Sequence, residues 1–428
     1  MSDAGPERQI VVSTDAHAGA DLRDYRPYLA ASLHEEFDAW AADFHDPWAD
    51  FDMEMEGHED EGIKMGRLSF VSSYSWDGDA RLAHMDAEGI AAEVLFPNTV
   101  PPFYPSGVIS APPPGTPDEY RLRWEGVKAH NRWMADFCAL APERRIGLAQ
   151  IFLHDVDAAV AEARWAKEAG LQGLLVPADH LSRQVYLFEK RLDPFWQVCC
   201  ELDLPVHRHA LSLGESEAVY GPAAPAIAAH ETEFFFVRAL SQLVFGGIFE
   251  RFPTLKFVFS EGGISWALGE LRKLDAEIRF GRQKGHGAYP VFHRAAQQLS
   301  MTASEYFARN CWIGASLIRP QEMVVYEQVG VDKIMWGSDY PHTEGTFPHS
   351  QLSLRLLFSK IPEDHARKMF CDNAVGLYGL DKAPLQAIAD RIGPTIADIS
   401  RPVADDELPA RTMSATVGST VDALPVKV

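Results

Sequence analysis

Eight short apolar stretches recur along the chain, each followed by a longer segment, and no other feature narrows the possible folds as much. They read IVVST (residues 10–14), AAEVLFP (91–97), RIGLAQI (145–151), LQGLLVP (171–177), LPVHRHA (204–210), KFVFSEGG (256–263), CWIGAS (311–316) and KIMWGSDYP (333–341). Their aliphatic and β-branched content suits buried strands. Segments 79–88, 117–140, 155–169, 191–202, 232–251, 263–280 and 319–329 between or after them carry helical patterning. Strands alternating with helices predict a parallel sheet with helical crossovers. Eight such units in series predict a closed (β/α)8 barrel, in which the working residues stand at the carboxyl ends of the strands. An open doubly wound sheet is the alternative, but no GxGxxG motif follows an early strand.

Three segments break the repeat. Residues 18–78 form a long insertion after the first strand, rich in aromatic and acidic residues, and the loop 98–117 after the second strand holds too much proline for regular structure. Loops of this length at barrel strand ends make lids and substrate walls. Residues 1–383 are therefore read as the barrel and 384–428, a Ser, Thr, Pro and Val mixture, as a C-terminal arm or disordered tail that could embrace a second subunit of a homo-oligomer.

The 61 acidic residues outnumber the 39 basic ones, for a formal charge of -22, which repels nucleic acid and anionic membranes. The five cysteines form no CxxC pair, and Cys199 and Cys200 sit in an apolar run as buried thiols. That usage, an amino terminus without an apolar core and the lack of any membrane-length apolar run predict a cytoplasmic protein.

The strand ends carry an unusual polar set. Asp15 and His17 close the first strand, two residues apart and on one face. His207 and His209 stand likewise on the fifth, with Arg208 pointing the other way; Glu261 ends the sixth and Asp339 the eighth. Any one of these histidines has an ordinary packing role open to it. Carboxylates from three strands in one pocket repel one another unless a cation is present, so together these residues predict a metal site. In the insertion, Glu54, Glu56, His58, Glu59 and Glu61 form an acidic run whose ordinary role is a solvated loop. Should Glu59 or His58 turn inward, a second metal is expected. His342 and Glu344, just past Asp339, are candidates for moving protons or for bracing their turn. Trp76, Phe103, Tyr104, Trp266 and Phe347 predict a large apolar cavity, and no Arg stands at the strand ends to clamp a small dicarboxylate.

From Ile10 to Leu380 the chain resembles the amidohydrolase-related proteins, which include aminocarboxymuconate semialdehyde decarboxylase and γ-resorcylate decarboxylase. The resemblance rests on Asp15-x-His17, DPFWQVCCELDLPVHRHA, FPTLKFVFSEGG, IMWGSDYPHTEGTFP and CDNAVGLYGL. It implies one divalent metal bound by Asp15, His17, His209 and Asp339, with His207 as an extra ligand or a supporting group. Glu261 departs from the pattern, since those decarboxylases have His before the glycine pair. A carboxylate there favours iron or manganese over zinc. With the acid-rich insertion, it makes the chain similar to a branch of this fold assigned to nonheme diiron monooxygenases of thioester-linked terpenoid acids in secondary metabolism. The leading expectation is accordingly an oxygenase with two irons, an external electron donor and a bulky apolar substrate, with Glu261 and His342 in catalysis. Metal-dependent hydrolysis or decarboxylation is the alternative, and a structural metal in a binding module the third reading.

Overall fold

The computed structural model describes residues 7–45, 73–105, 111–177, 185–209, 221, 223–283, 290–410 and 412–421. Eight strands, β1 (Val12–Ala18), β2 (Ala92–Pro97), β3 (Arg145–Gln150), β4 (Gly173–Leu175), β5 (Val206–His209), β6 (Phe257–Ser260), β7 (Cys311–Ala315) and β8 (Ile334–Trp336), pair in chain order. Every pairing is parallel. The ring closes where Ala16 bridges Tyr340 in parallel, with the Asp339 amide donating to the Asp15 carbonyl at 2.7 Å and the His17 amide to the Tyr340 carbonyl at 2.6 Å. This is the (β/α)8 barrel expected from the alternation.

Helices Gly78–Glu88, Pro117–Ala139, Val156–Glu168, Asp193–Glu201 and Ser265–Arg282 stand where the patterning placed them. Asp77, Thr116 and Asp155 cap the first three through backbone amides, which is the reason they start there. The helix expected over 232–251 divides into Thr232–Phe245 and Ile248–Arg251, because Gly247 takes a left-handed φ of 65°. The one expected over 319–329 divides into a 3-10 turn, Pro320–Val325, and a short α-helix, Tyr326–Val329. Among the described residues no helix is long and apolar enough to cross a membrane.

The loop after β2 is a wall of the barrel mouth. Val100, Phe103 and Tyr104 are buried, and the chain passes so close to the helix Pro117–Ala139 that a Cβ on Gly126 would lie 2.0 Å from the Pro102 carbonyl oxygen. Residues 384–421, expected as an arm or a disordered tail, run back over the barrel where they are described. Pro394 accepts from the Gln9 amide at 2.8 Å, and Arg355 holds Glu407 through two bonds of 2.8 and 2.7 Å. The Ala415 amide reaches the Glu344 carbonyl at 2.8 Å, so this segment touches the loop after β8.

Beside the mouth lies a buried polar cluster. The Tyr25 hydroxyl accepts from the Ala20 amide and meets Thr99 Oγ1 at 2.9 Å and His130 Nδ1 at 2.8 Å. Burial pushes the His130 pKa from 6.5 down to about 3. Between those values the unfolded chain takes up a proton that the folded chain refuses, so stability falls as the pH drops, by up to about 1.4 kcal/mol per pH unit. Urea unfolding of His130→Gln is expected to show a shallower loss from pH 6.5 to 4 than the parent; an unchanged slope would remove His130 from that role.

Candidate metal centre

β1 delivers Asp15 and His17 to the mouth, both fully buried, and β5 delivers His209. Asp339 follows β8 and Glu261 follows β6; both have left-handed backbones, with φ of 59° and 64°. Such a conformation is costly for a residue with a Cβ, and it is found where a site over-determines it. After Glu261 the chain needs glycine: a Cβ on Gly262 would lie 2.1 Å from the Phe236 ring, and Gly263 has φ of 62°. The EGG triplet is thus a backbone requirement that also sets the carboxylate in place.

Three imidazoles share one design. His17 Nδ1 lies 3.2 Å from the Pro97 carbonyl, so that nitrogen carries the proton and Nε2 turns inward, 3.4 Å from Asp15 Oδ1 and 3.2 Å from Asp339 Oδ1. His209 Nδ1 sits 2.9 Å from Glu261 Oε2, and its Nε2 is 3.6 Å from Asp15 Oδ1. His342 Nε2 meets Asn98 Oδ1 at 3.0 Å, while its Nδ1 faces Asp339 Oδ1 at 2.9 Å; its ring stacks on His17 with centroids 3.9 Å apart. In each ring one nitrogen is held by an acceptor and the other faces the carboxylates. That is how the partners of a ligating histidine orient it.

The electrostatics follow from burial and proximity. Burial alone would raise Asp15 and Asp339, but His17 and His209 around the first, and His342 and His17 around the second, hold both below the usual carboxylate range. His17 moves the other way: burial opposes its charge, yet Asp15 and Asp339 lift it to about 9. His209 is lifted against burial by Glu261 and Asp15. Glu261 itself is raised, chiefly by burial.

Asp15 Oδ1, His17 Nε2 and both Asp339 carboxylate oxygens are buried with no hydrogen-bond partner. Orphaned buried acceptors from neighbouring strands fit a divalent cation, which would take the place of the proton on His17. Three donor groups lie within 4.8 Å spans: Asp15, His17 and His209; His17, Asp339 and His342; and Glu261, Asp339, His342 and Glu344. Asp15, His17, His209, Glu261 and Asp339 therefore converge as the strand-end argument expected, and His342 and Glu344 join them.

His207 does not. Its Nδ1 donates to the Leu174 carbonyl at 3.1 Å and its Nε2 meets the Tyr378 hydroxyl at 2.8 Å. With both nitrogens engaged in the core, and its pKa lowered by burial to about 4, it is a packed neutral histidine, and the expectation of an extra ligand there is corrected. His58, Glu59 and the rest of the acidic run lie outside the described residues.

A cleft opens beside His209, lined by Tyr104, Arg123, Val127, Gln150, Phe152, His154 and Val176 among others. Of the aromatics expected around it only Tyr104 is there. Phe103 packs against Phe37 and Trp40, Trp266 against Phe236 and Phe259, and Phe347 against His84 and Tyr340. Trp76 is half-buried against the core. Arg123 and Gln150 were not expected. Gln150 ends β3, and the strand-end reasoning that found Asp15 would have found it; Arg123 lies inside a helix and carries no such signal.

A parallel eight-stranded barrel whose mouth gathers histidines and carboxylates around orphaned acceptors defines a metal-dependent enzyme. Residues 109–380 match the amidohydrolase family model, and the chain belongs to that family. It is 24% identical over 315 residues to 2-amino-3-carboxymuconate-6-semialdehyde decarboxylase of Dictyostelium discoideum, covering 73% of this chain and 79% of that protein. It is 26% identical over 301 residues to γ-resorcylate decarboxylase of Rhodococcus jostii, covering 64% and 82%. Among solved structures, an amidohydrolase of Mycobacterium avium subsp. paratuberculosis superposes with a TM-score of 0.60 at 21% identity, covering 88% of this chain and all of that one. The manganese complex of 5-carboxyvanillate decarboxylase of Novosphingobium aromaticivorans gives 0.59 at 20% identity, covering 87% and 96%. The named enzymes among these are decarboxylases. They favour the decarboxylation alternative over the oxygenase placed first from the sequence, and do not support two irons or an electron donor.

Proposed function

We propose that this protein is a metal-dependent decarboxylase of an aromatic carboxylate. The observation that carries this reading is the convergence of Asp15, His17, His209 and Asp339, with orphaned inward-facing acceptors, beside a cleft walled by Tyr104 and Phe152. The sequence relatives, both decarboxylases, support it. Those four residues would hold a divalent cation, whose positive charge would offset that of the substrate carboxylate. Glu261, whose pKa burial raises and which sits 2.9 Å from His209, is the proton donor of this reading. It gives its proton to the ring carbon bearing the carboxylate; the carbon–carbon bond then breaks, its electron pair restores the aromatic ring, and carbon dioxide leaves. Solvent returns the proton to Glu261. His342, fixed by Asn98, keeps Asp339 in position.

A second reading has its own observation. Glu261, Asp339, His342 and Glu344 form a donor group that shares Asp339 and His342 with the His17 group. Two irons held by the combined set would suit an oxygenase that takes dioxygen and two electrons from an external reductant. The two readings part under nitrogen. Metal-loaded protein supplied with a panel of aromatic carboxylates is expected to release one carbon dioxide per carboxylate lost without oxygen or reductant. Turnover that requires both, with two irons per chain, would overturn the decarboxylase and establish the oxygenase.

A further inference from the structure

Gln150 is the most exacting polar group in the cleft. It is 3% exposed, and neither its Oε1 nor its Nε2 has a hydrogen-bond partner. Buried amides are nearly always satisfied, so an orphaned one that lines a cavity marks a place where something else supplies the partner. Its backbone is not free to turn away. Asn131 clamps it from the helix Pro117–Ala139, accepting from the Gln150 amide at 2.8 Å and donating to its carbonyl at 3.0 Å. Asn131 is in turn bonded to Glu162 at 2.8 Å.

The Tyr104 hydroxyl lines the same cleft. It is buried, has no hydrogen-bond partner, and its ring lies near-parallel to Phe152 with centroids 6.1 Å apart. Tyr104 and Phe152 give the lining a stacked aromatic pair, and His209 of the candidate metal cluster belongs to the same lining. A primary amide offers a donor and an acceptor side by side. The ligand group that uses both is a hydroxyl, which donates once and accepts twice.

We propose that Gln150, assisted by Tyr104, is the specificity residue that reads a ring hydroxyl of the substrate while the carboxylate faces the metal cluster. The assignment rests on the aromatic-carboxylate reading above and narrows it to hydroxylated rings. A site built to bond a hydroxyl discriminates strongly against a ligand without one, because its own groups are then left unpaired.

The test is binding rather than turnover, with the metal-loaded full chain and benzoate, 2-hydroxybenzoate, 3-hydroxybenzoate and 4-hydroxybenzoate as probes in calorimetry. The parent protein is expected to bind at least one hydroxybenzoate about 10-fold or more tighter than benzoate, equivalent to about 1.4 kcal/mol. In Gln150→Leu that preference should fall to less than about 2-fold, with benzoate affinity kept and the melting temperature unchanged or higher, since an unpaired buried amide is removed. A preference that survives in Gln150→Leu, a parent with no preference, or a parent that binds none of the four overturns the assignment. Preference lost in the variant without any carbon dioxide release by the parent supports Gln150 and sinks only the decarboxylase.

Discussion

Replacing His209 by Ala is expected to strip the centre of its metal and, with it, of its activity. His209 is the β5 contribution to the cluster, with Nε2 toward Asp15 and Nδ1 held by Glu261. Losing a partner that merely orients a ligand costs about 10–100-fold in metal affinity, so losing the imidazole itself should exceed that range. The neighbouring residue provides the control. His207 is two positions away on the same strand, but its nitrogens serve Leu174 and Tyr378. His207→Gln should lower stability, through a lost core contact, and leave the metal content at the parent level. Elemental analysis of both variants, purified without chelators, checks the pair. No loss from His209→Ala would mean that β5 does not hold the ion, and equal loss from both would overturn the assignment of His207 to the core.

The second large effect is expected at Glu261. Changing it to Gln keeps an oxygen that can accept from His209 Nδ1 but removes the transferable proton. If Glu261 is the acid of a decarboxylase, kcat falls by about 10²–10⁴-fold, the usual worth of a positioned general acid, while the metal count stays at one. If it binds a second ion with Asp339, His342 and Glu344, the same change lowers the count from two toward one. Turnover and metal content measured on one preparation separate these outcomes. Unchanged turnover with unchanged metal would leave Glu261 with neither role.

The convergence of the candidate metal-binding residues was largely legible in the sequence because a strand fixes where side chains point. Asp15 and His17 alternate on β1, and closing eight parallel strands brings the ends of β1, β5, β6 and β8 to one mouth. What strand logic could not reach were partners supplied from elsewhere in the chain. Tyr378, which takes His207 out of contention, lies 171 residues away from it, and Asn98, which orients His342, lies 244 away. Periodicity carries no record of such pairings. The loop aromatics failed for a related reason: Phe103 and Trp266 are spent on packing against Phe37 and Phe236, and no local pattern separates a cavity wall from a core. The helix break at Gly246 and Gly247 was visible as a glycine pair, but the amphipathic pattern runs through it.

Whether Asp15, His17, His209 and Asp339 jointly bind one cation is read from anomalous diffraction of metal-loaded crystals at the absorption edge of the bound metal. The expected result is an anomalous peak about 2.0–2.3 Å from one donor atom of each of the four residues. A peak bonded to none of Asp15, His17 and His209, or loaded crystals without any peak at the barrel mouth, would contradict the account.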